Sequence, residues 1–255
     1  MIGAIVSSLT EYSEAYRAIS THKLWKYAIL PGLLSVLVAG IIIAWALSTV
    51  DDMASWTMSL YPFEWGRETM TSVLEWFSGA LMMIIGLFLF RYLVMIIASP
   101  FMGTLSEKVE AIMTGRKPEP VGAGQMMKDV IRGIRITLRN IIREVFLTLV
   151  LTIAGFMIPV IGNIITTVLI FVVQAYYAGF SNMEYTLERK RFTIRDSVAF
   201  VNSNRGIAIG NGTGWLVLML IPVVGWFLAP VLGTVAATKS SLQKLDAQKY
   251  SLFFS

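Results

Sequence analysis

The sequence predicts an all-α integral membrane protein with two full transmembrane helices and two Pro/Gly-tipped re-entrant helical hairpins. Three observations carry this. The 255 residues are 56% hydrophobic and only 15% charged, with a mean hydropathy of +0.68, a composition of membrane proteins rather than soluble enzymes. Residues 145–183 run thirty-nine positions without a charge and break at their middle on Ile158-Pro159-Val160-Ile161-Gly162-Asn163. A second uncharged tract, residues 206–238, breaks on nearly the same words, Ile221-Pro222-Val223-Val224-Gly225-Trp226.

Taken in order, residues 3–20 form an amphipathic helix. Ile5, Leu9, Tyr12, Tyr16 and Ile19 recur at helical spacing opposite Ser7, Glu11, Ser13 and Arg17. Beside a membrane span, such a helix either lies flat in the interface or packs on the rest of the protein. Residues 27–50 are uncharged and reach about 36 Å as a helix, enough to cross the ~30 Å hydrocarbon core. Lys23 and Lys26 precede this run, and Asp51 and Asp52 follow it. Ala44-Trp45-Ala46 resembles a signal-peptidase site, but the run is too long and starts too late for a signal peptide, so it reads as an uncleaved span. Pro31 falls in its first turns, where it costs little.

Residues 51–75 carry five acidic residues and one basic one, Arg67, together with Trp56, Tyr61 and Trp65. With Trp76 next to them, these are the aromatics of a headgroup layer on the outer face. Residues 76–106 are apolar apart from Arg91 and reach about 46 Å as a helix, so this second span tilts or projects beyond the lipid. Pro100 is expected to bend it. Arg91 inside the span is a pathway candidate, or a side chain that snorkels to the inner interface.

From 107 to 144 come eight basic and five acidic residues. Lys128, Arg132, Arg135, Arg139 and Arg143 fall within an arc of about 80° on one helical face. Such a stripe grips anionic lipid headgroups or lines an anion route. The two hairpins at 145–183 and 206–238 follow, joined by a basic connector. Each arm of the second tract has about fourteen residues and would reach roughly 21 Å, short of a full crossing. Both tracts begin and end beside basic residues, so their arms enter and turn back, with a tip that needs shielding by protein or a wet cavity. The alternative is a pair of tilted two-helix spans, which the thirty-nine-residue tract could just make. Apart from Arg67 and Arg91, the other nineteen of the twenty-one Lys and Arg lie on the N-terminal side. The positive-inside rule then places both termini in the cytoplasm.

Several chemistries are excluded. There is no cysteine and one histidine, His22, which removes disulfides, thiol catalysis and His- or Cys-built metal sites. Nucleophile-elbow and phosphate-loop motifs are absent. Gly210-Asn211-Gly212-Thr213-Gly214 has the look of a phosphate loop but lacks the lysine and lies in an apolar arm, where close helix approach explains the glycines. The net charge of +5 sits at the ends of the apolar tracts, a pattern of orientation rather than nucleic-acid binding. No catalytic residue, metal or cofactor is expected.

At Ala98-Ser99-Pro100-Phe101-Met102-Gly103-Thr104-Leu105-Ser106-Glu107, and on through Glu110, the chain resembles the bacterial CysZ sulfate-permease family. The small-Pro-Phe-x-Gly-x-Leu-x-Glu-x-x-Glu signature is met by Pro100, Phe101, Gly103, Leu105, Glu107 and Glu110. The likeness continues through Met127-Lys128-Asp129-Val130, the Ile158-Pro159 and Ile221-Pro222 turns, and Ala28-Ile29-Leu30-Pro31. The resemblance implies a single membrane domain over residues 1–255 in the bacterial inner membrane, usually homo-oligomeric, passing sulfate into the cell. Before its first span the family carries a glycine, an apolar residue and two arginines, which look like its oxyanion site. Those positions here are Lys23, Leu24, Trp25 and Lys26. The loss of both arginines removes bidentate donors. A helix start with Ser20 and Thr21 as caps and two lysine charges still attracts anions, although two lysines beside a span are also its ordinary positive-inside flank.

Two functions follow. One is a channel or permease for sulfate or a similar small oxyanion, with the anion held by Ser20, Thr21, Lys23, Leu24, Trp25 and Lys26. Its pathway candidates are Arg91, Arg132, Arg135, Arg139, Asn163 and Asn211, each also readable as packing between helices. The other is a membrane structural or adaptor protein on the same scaffold. Partners expected are the anion, anionic lipids and further copies of the chain.

Overall fold

A computed structural model describes residues 2–59, 67–115, 123–157 and 161–253, and among these every regular element is α-helical. The helices are α1 (Ile2–Thr21), α2 (Lys26–Ser59), α3 (Arg67–Thr114), α4 (Ala123–Met157), α5 (Ile161–Arg189), α6 (Ile194–Ser203), α7 (Arg205–Met219) and α8 (Val224–Phe253). Three of them hold stretches long and apolar enough to cross a membrane: Ile29–Met53, Ser72–Thr114 and Ile164–Arg189. The first two are the expected spans. The third is the returning arm of the first hairpin, which the sequence ended at residue 183. It continues to Arg189 because the charge of Glu184 is met inside the fold by Arg132.

The chain divides into two compact units, residues 30–98 and residues 1–29 with 99–255. The smaller unit holds most of α2 and the first part of α3. A Cβ on Gly86 would stand 3.0 Å from Ile42 Cγ2, so the two helices meet closely there. Pro31 lies inside α2, and its carbonyl accepts from Ser35 Oγ at 2.7 Å. Most of the large apolar side chains on these helices are uncovered, Leu47, Met83 and Leu87 among them, as lipid-facing helices require.

In the larger unit α4 and α5 form an antiparallel hairpin. Arg132 pairs with Glu184 near one end, and Gly155 lies against Thr166 near the other. The tip residues 158–160 lie outside the described residues. The second hairpin, α7 and α8, turns on Ile221-Pro222-Val223. Val223 adopts a φ of 62°, an uncommon conformation for a β-branched residue. Gly225 is required there, since a Cβ would meet Leu218 O at 1.8 Å. The turn satisfies much of its own backbone: Ile221 N–H bonds Leu218 O, Val224 N–H bonds Pro222 O and Gly225 N–H bonds Ile221 O. Leu220, Ile221, Val223 and Val224 are nonetheless exposed within the chain. The expected shield around the tip is therefore not supplied by this chain's described residues. At 15 residues, α7 reaches only about 22 Å.

α7 threads between α1, α5 and α8, and its glycines make this possible. A Cβ on Gly210 would strike Ile5 O and Ser8 of α1; one on Gly212 would stand 1.7 Å from Ala175 O of α5; one on Gly214 would strike the Tyr12 ring. The phosphate-loop look-alike is thus a close-approach motif facing two helices. α1 packs on α7 and α8, which decides between its two expected placements. Its packing face is Ser8, Tyr12, Ala15 and Ile19, whereas Leu9 and Tyr16 point away. The small residues Ser8 and Ala15 let α1 come close, which rotates the face from the one hydrophobicity alone picks out. The basic connector also holds a helix, α6. Thr193 and Asp196 close its start as a capping box.

Candidate functional site

The expected anion site lies at the junction of α1 and α2. α1 runs to Thr21, residues 22–25 form a turn, and α2 starts at Lys26. Ser20 and Thr21 therefore belong to the last turn of α1 and do not cap the next helix. Leu24 pins the turn. It is buried, its N–H bonds Ile19 O at 2.9 Å, and its carbonyl accepts from Tyr27 N–H at 3.0 Å. Lys23 adopts a φ of 54°, in the left-handed region where glycine is at ease. Trp25 meets Tyr16 edge-on at 5.6 Å, and Lys26 Nζ stands 5.4 Å over the Tyr27 ring. Both lysines are exposed, and among the described residues neither meets a carboxylate. What the turn presents is two unneutralised point charges at a helix start, the end that favours anions.

The basic stripe of α4 is divided by the fold. Arg132 is held on three sides: its Nη1 stands 2.5 Å from Glu184 Oε1, its Nε donates to Phe192 O at 2.7 Å, and its Nη2 donates to Ser197 Oγ at 2.8 Å. It fastens α4 to α5 and α6. Arg135 is exposed. Arg139 Nη1 donates to Asn140 Oδ1 at 3.0 Å, and burial, then the neighbouring charge of Arg143, pulls its guanidinium below the usual arginine value. Asn211 is buried and doubly bonded: it accepts from Asn182 Nδ2 at 2.8 Å and donates to Gly233 O at 3.0 Å. Arg91 lies in α3 and Asn163 in α5, but their side chains are outside the described residues.

Sequence reasoning did not find three further polar ties. Ser106, Thr186 and Thr238, all fully buried, form a ring of hydroxyls joining α3, α5 and α8, with Ser106 Oγ 2.7 Å from Thr238 Oγ1. Glu110 takes Arg189 at 2.9 Å and also Lys190, fastening α3 to the end of α5. Lys239 clasps Glu11 at 2.7 Å and also Glu14, fastening α8 to α1. Ser106 and Glu110 lie within or beside the signature after Pro100, so that signature holds helices together.

A family model described as "Sulfate transporter CysZ/Etoposide-induced protein 2.4" matches residues 12–230, which include the lysine turn and both hairpin tips. The chain belongs to this family. Among curated relatives of the family, proteins named "Sulfate transporter CysZ" from Salmonella typhimurium, Salmonella paratyphi A and Salmonella enteritidis are each 26% identical over 233 residues. Each alignment covers 88% of this chain and 88% of the relative. The similarity to these family members is thus spread over the whole fold rather than confined to one motif.

Proposed function

We propose that the chain passes sulfate or a similar small oxyanion across the bacterial cytoplasmic membrane. The observation that carries this is the end-to-end similarity to sulfate transporters, over 88% of both chains. On this reading residues 1–255 act as one membrane unit, both termini are cytoplasmic, and the second hairpin enters the bilayer and returns. Further copies of the chain cover its exposed tip, since backbone at that depth needs protein or water around it.

The anion first meets Lys23 and Lys26 at the start of α2, with Ser20, Thr21, Leu24 and Trp25 shaping the turn. Two lysines in place of forked donors attract an oxyanion by charge alone. Such a site holds an ion weakly, which suits passage better than storage. Among the pathway candidates, Arg132 and Asn211 act as ties between helices, supported by their bonded neighbours. Arg135 and Arg139 gather anions along the basic face, which also meets anionic lipid, while Arg91 and Asn163 complete the path.

The test is uptake of labelled sulfate into vesicles holding the purified full chain, beside a K23A/K26A variant of equal folded yield. Saturable uptake that drops several-fold in the variant supports the reading. Uptake that is unchanged removes the lysine turn from the path.

A further inference from the structure

α4 presents one side to the fold and another outward. Ile136, Asn140 and Glu144, four residues apart, are all buried. Roughly opposite, at about 100° per residue, stand Ile131, Ile134, Leu138 and Ile142, each between 44% and 62% exposed. Arg135, Arg139 and Arg143 occupy the arc between these two sides, and Arg135 and Arg143 are themselves exposed. The aliphatic row lies wholly in the charged half of the helix, before the uncharged tract begins at Val145.

Large aliphatic side chains gathered on one uncovered side mark a contact surface, and three observations name what meets it. The first is continuity. α4 runs unbroken from Ala123 to Met157, so the row leads along the same side to Leu149 and Ile153, exposed positions of the uncharged tract. The second is height. With α4 upright and Val145 at the edge of the hydrocarbon, Ile131 would stand about 21 Å out in water; a tilted α4 brings the whole row to the membrane instead. The third is charge. No acid lies between Asp129 and Glu144, and Glu144 is buried on the packed side. A second copy laid against this side would set arginine against arginine. An anionic lipid surface instead offers acyl chains to the row and phosphates to the guanidinium groups.

We propose that residues 131–143 of α4 form an interfacial face for anionic lipid. α4 lies obliquely in the cytoplasmic leaflet, with Ile131, Ile134, Leu138 and Ile142 among the upper acyl chains. Arg135, Arg139 and Arg143 reach sideways to headgroup phosphates, their stems lying along the apolar layer. The choice of leaflet rests on the proposed topology, with both termini cytoplasmic. The lipid contact itself does not depend on sulfate passage, since a chain that moves no sulfate can still lie on lipid here.

The chain has no cysteine, so a single introduced thiol reports one place. The full chain carrying L138C or, in a second sample, I134C is labelled with an environment-sensitive fluorophore and placed in nanodiscs. These contain phosphatidylcholine and phosphatidylglycerol, one or the other bearing a nitroxide near the top of its acyl chain. Iodide is the quencher from water. The expected result is strong quenching of both labels by nitroxide, relative to nitroxide-free nanodiscs, and little by iodide. At equal lipid content, the quenching should report about fivefold enrichment of phosphatidylglycerol over phosphatidylcholine beside the label. Adding R135Q/R143Q should bring that ratio near one. Full iodide quenching would mean that the row faces water, and it overturns the proposal. Shielding from both quenchers would mean that protein, such as a second copy, covers the row, and it overturns the proposal too. So does a lipid preference that is absent from the parent or unchanged by R135Q/R143Q.

Discussion

Asn182 Nδ2 donates to Asn211 Oδ1 at 2.8 Å, joining α5 to α7 through two buried amides. The same Asn211 reaches α8 through Gly233 O, and its own carbonyl receives the Tyr12 hydroxyl of α1 at 2.6 Å. One residue thus ties four helices where no water can replace a lost partner. N211A would leave the buried Asn182 amide without this partner and take the second bond from Gly233 O, which keeps its place in the α8 ladder, at a cost of about 2 kcal/mol. Thermal unfolding in detergent should show this as a clear drop in midpoint, whereas an unchanged midpoint removes the amide tie from the account of the fold.

Glycine at 212 is a steric requirement, because an added Cβ would stand 1.7 Å from Ala175 O, while the same addition at Gly103 meets nothing within 4 Å. G212A should separate α7 from α5 and abolish most folded yield. G103A should express like the parent. Comparable yields for the two variants, read by size-exclusion chromatography, would contradict the close crossing.

Arg132 and Glu184 form a pair largely withdrawn from solvent, with side-chain exposures of 16% and 8%. R132M strands the carboxylate and should cost about 3 kcal/mol, whereas R132M/E184M, which removes both charges, should recover most of that loss. A double variant no more stable than R132M would show that the pair contributes something other than charge compensation.

The clasp between α8 and α1 makes docking of α1 sensitive to acid. The hydrogen bond and charge of Lys239 hold the Glu14 carboxyl below its ordinary value of 4.5. For Lys239, burial pulls the ammonium down, but the bonds and charges of Glu11 and Glu14 outweigh it and hold it above the usual lysine value. A depressed acid stabilises above its unfolded value and loses that contribution as pH falls through its folded one. Hydrogen exchange of α1 should therefore accelerate as pH drops below about 4.5, the ordinary Glu value, after correction for intrinsic rates. K239M should remove the transition. A K239M profile that matches the parent's falsifies the clasp.

If α7 stops within the bilayer, a cysteine at Leu220, which is 78% exposed and free of the steric demand at Gly225, sits in lipid. L220C in sealed inverted and right-side-out vesicles should resist a membrane-impermeant maleimide from either side and react only after the membrane is dissolved and the chain unfolded, when the thiol can ionise. Rapid impermeant labelling from the periplasmic side would mean that the hairpin spans.

Much of this architecture is readable from the two Pro-Gly tips. Arg132 and Glu184 each lie 26 residues from Ile158 (158 − 132 and 184 − 158), and they pair. Asn211 and Gly233 each lie 11 residues from Pro222 (222 − 211 and 233 − 222), and they bond. Counting outward from a tip gives hairpin partners because antiparallel helices rise equally on both sides. The capping box at Thr193 and Asp196 was equally legible, although charge alone hid α6. Contacts between non-consecutive helices were not legible. The face of α1 depends on glycines some two hundred residues away in α7, and the Ser106–Thr186–Thr238 ring draws one hydroxyl from each of three helices. No local periodicity encodes either.

Uptake of labelled sulfate by sealed proteoliposomes containing only the purified full chain tests the function most directly. The expected result is uptake above that of protein-free vesicles, saturating with sulfate concentration and reduced by competing tetrahedral oxyanions. Uptake indistinguishable from protein-free vesicles, by a protein shown to be folded and inserted, would contradict it.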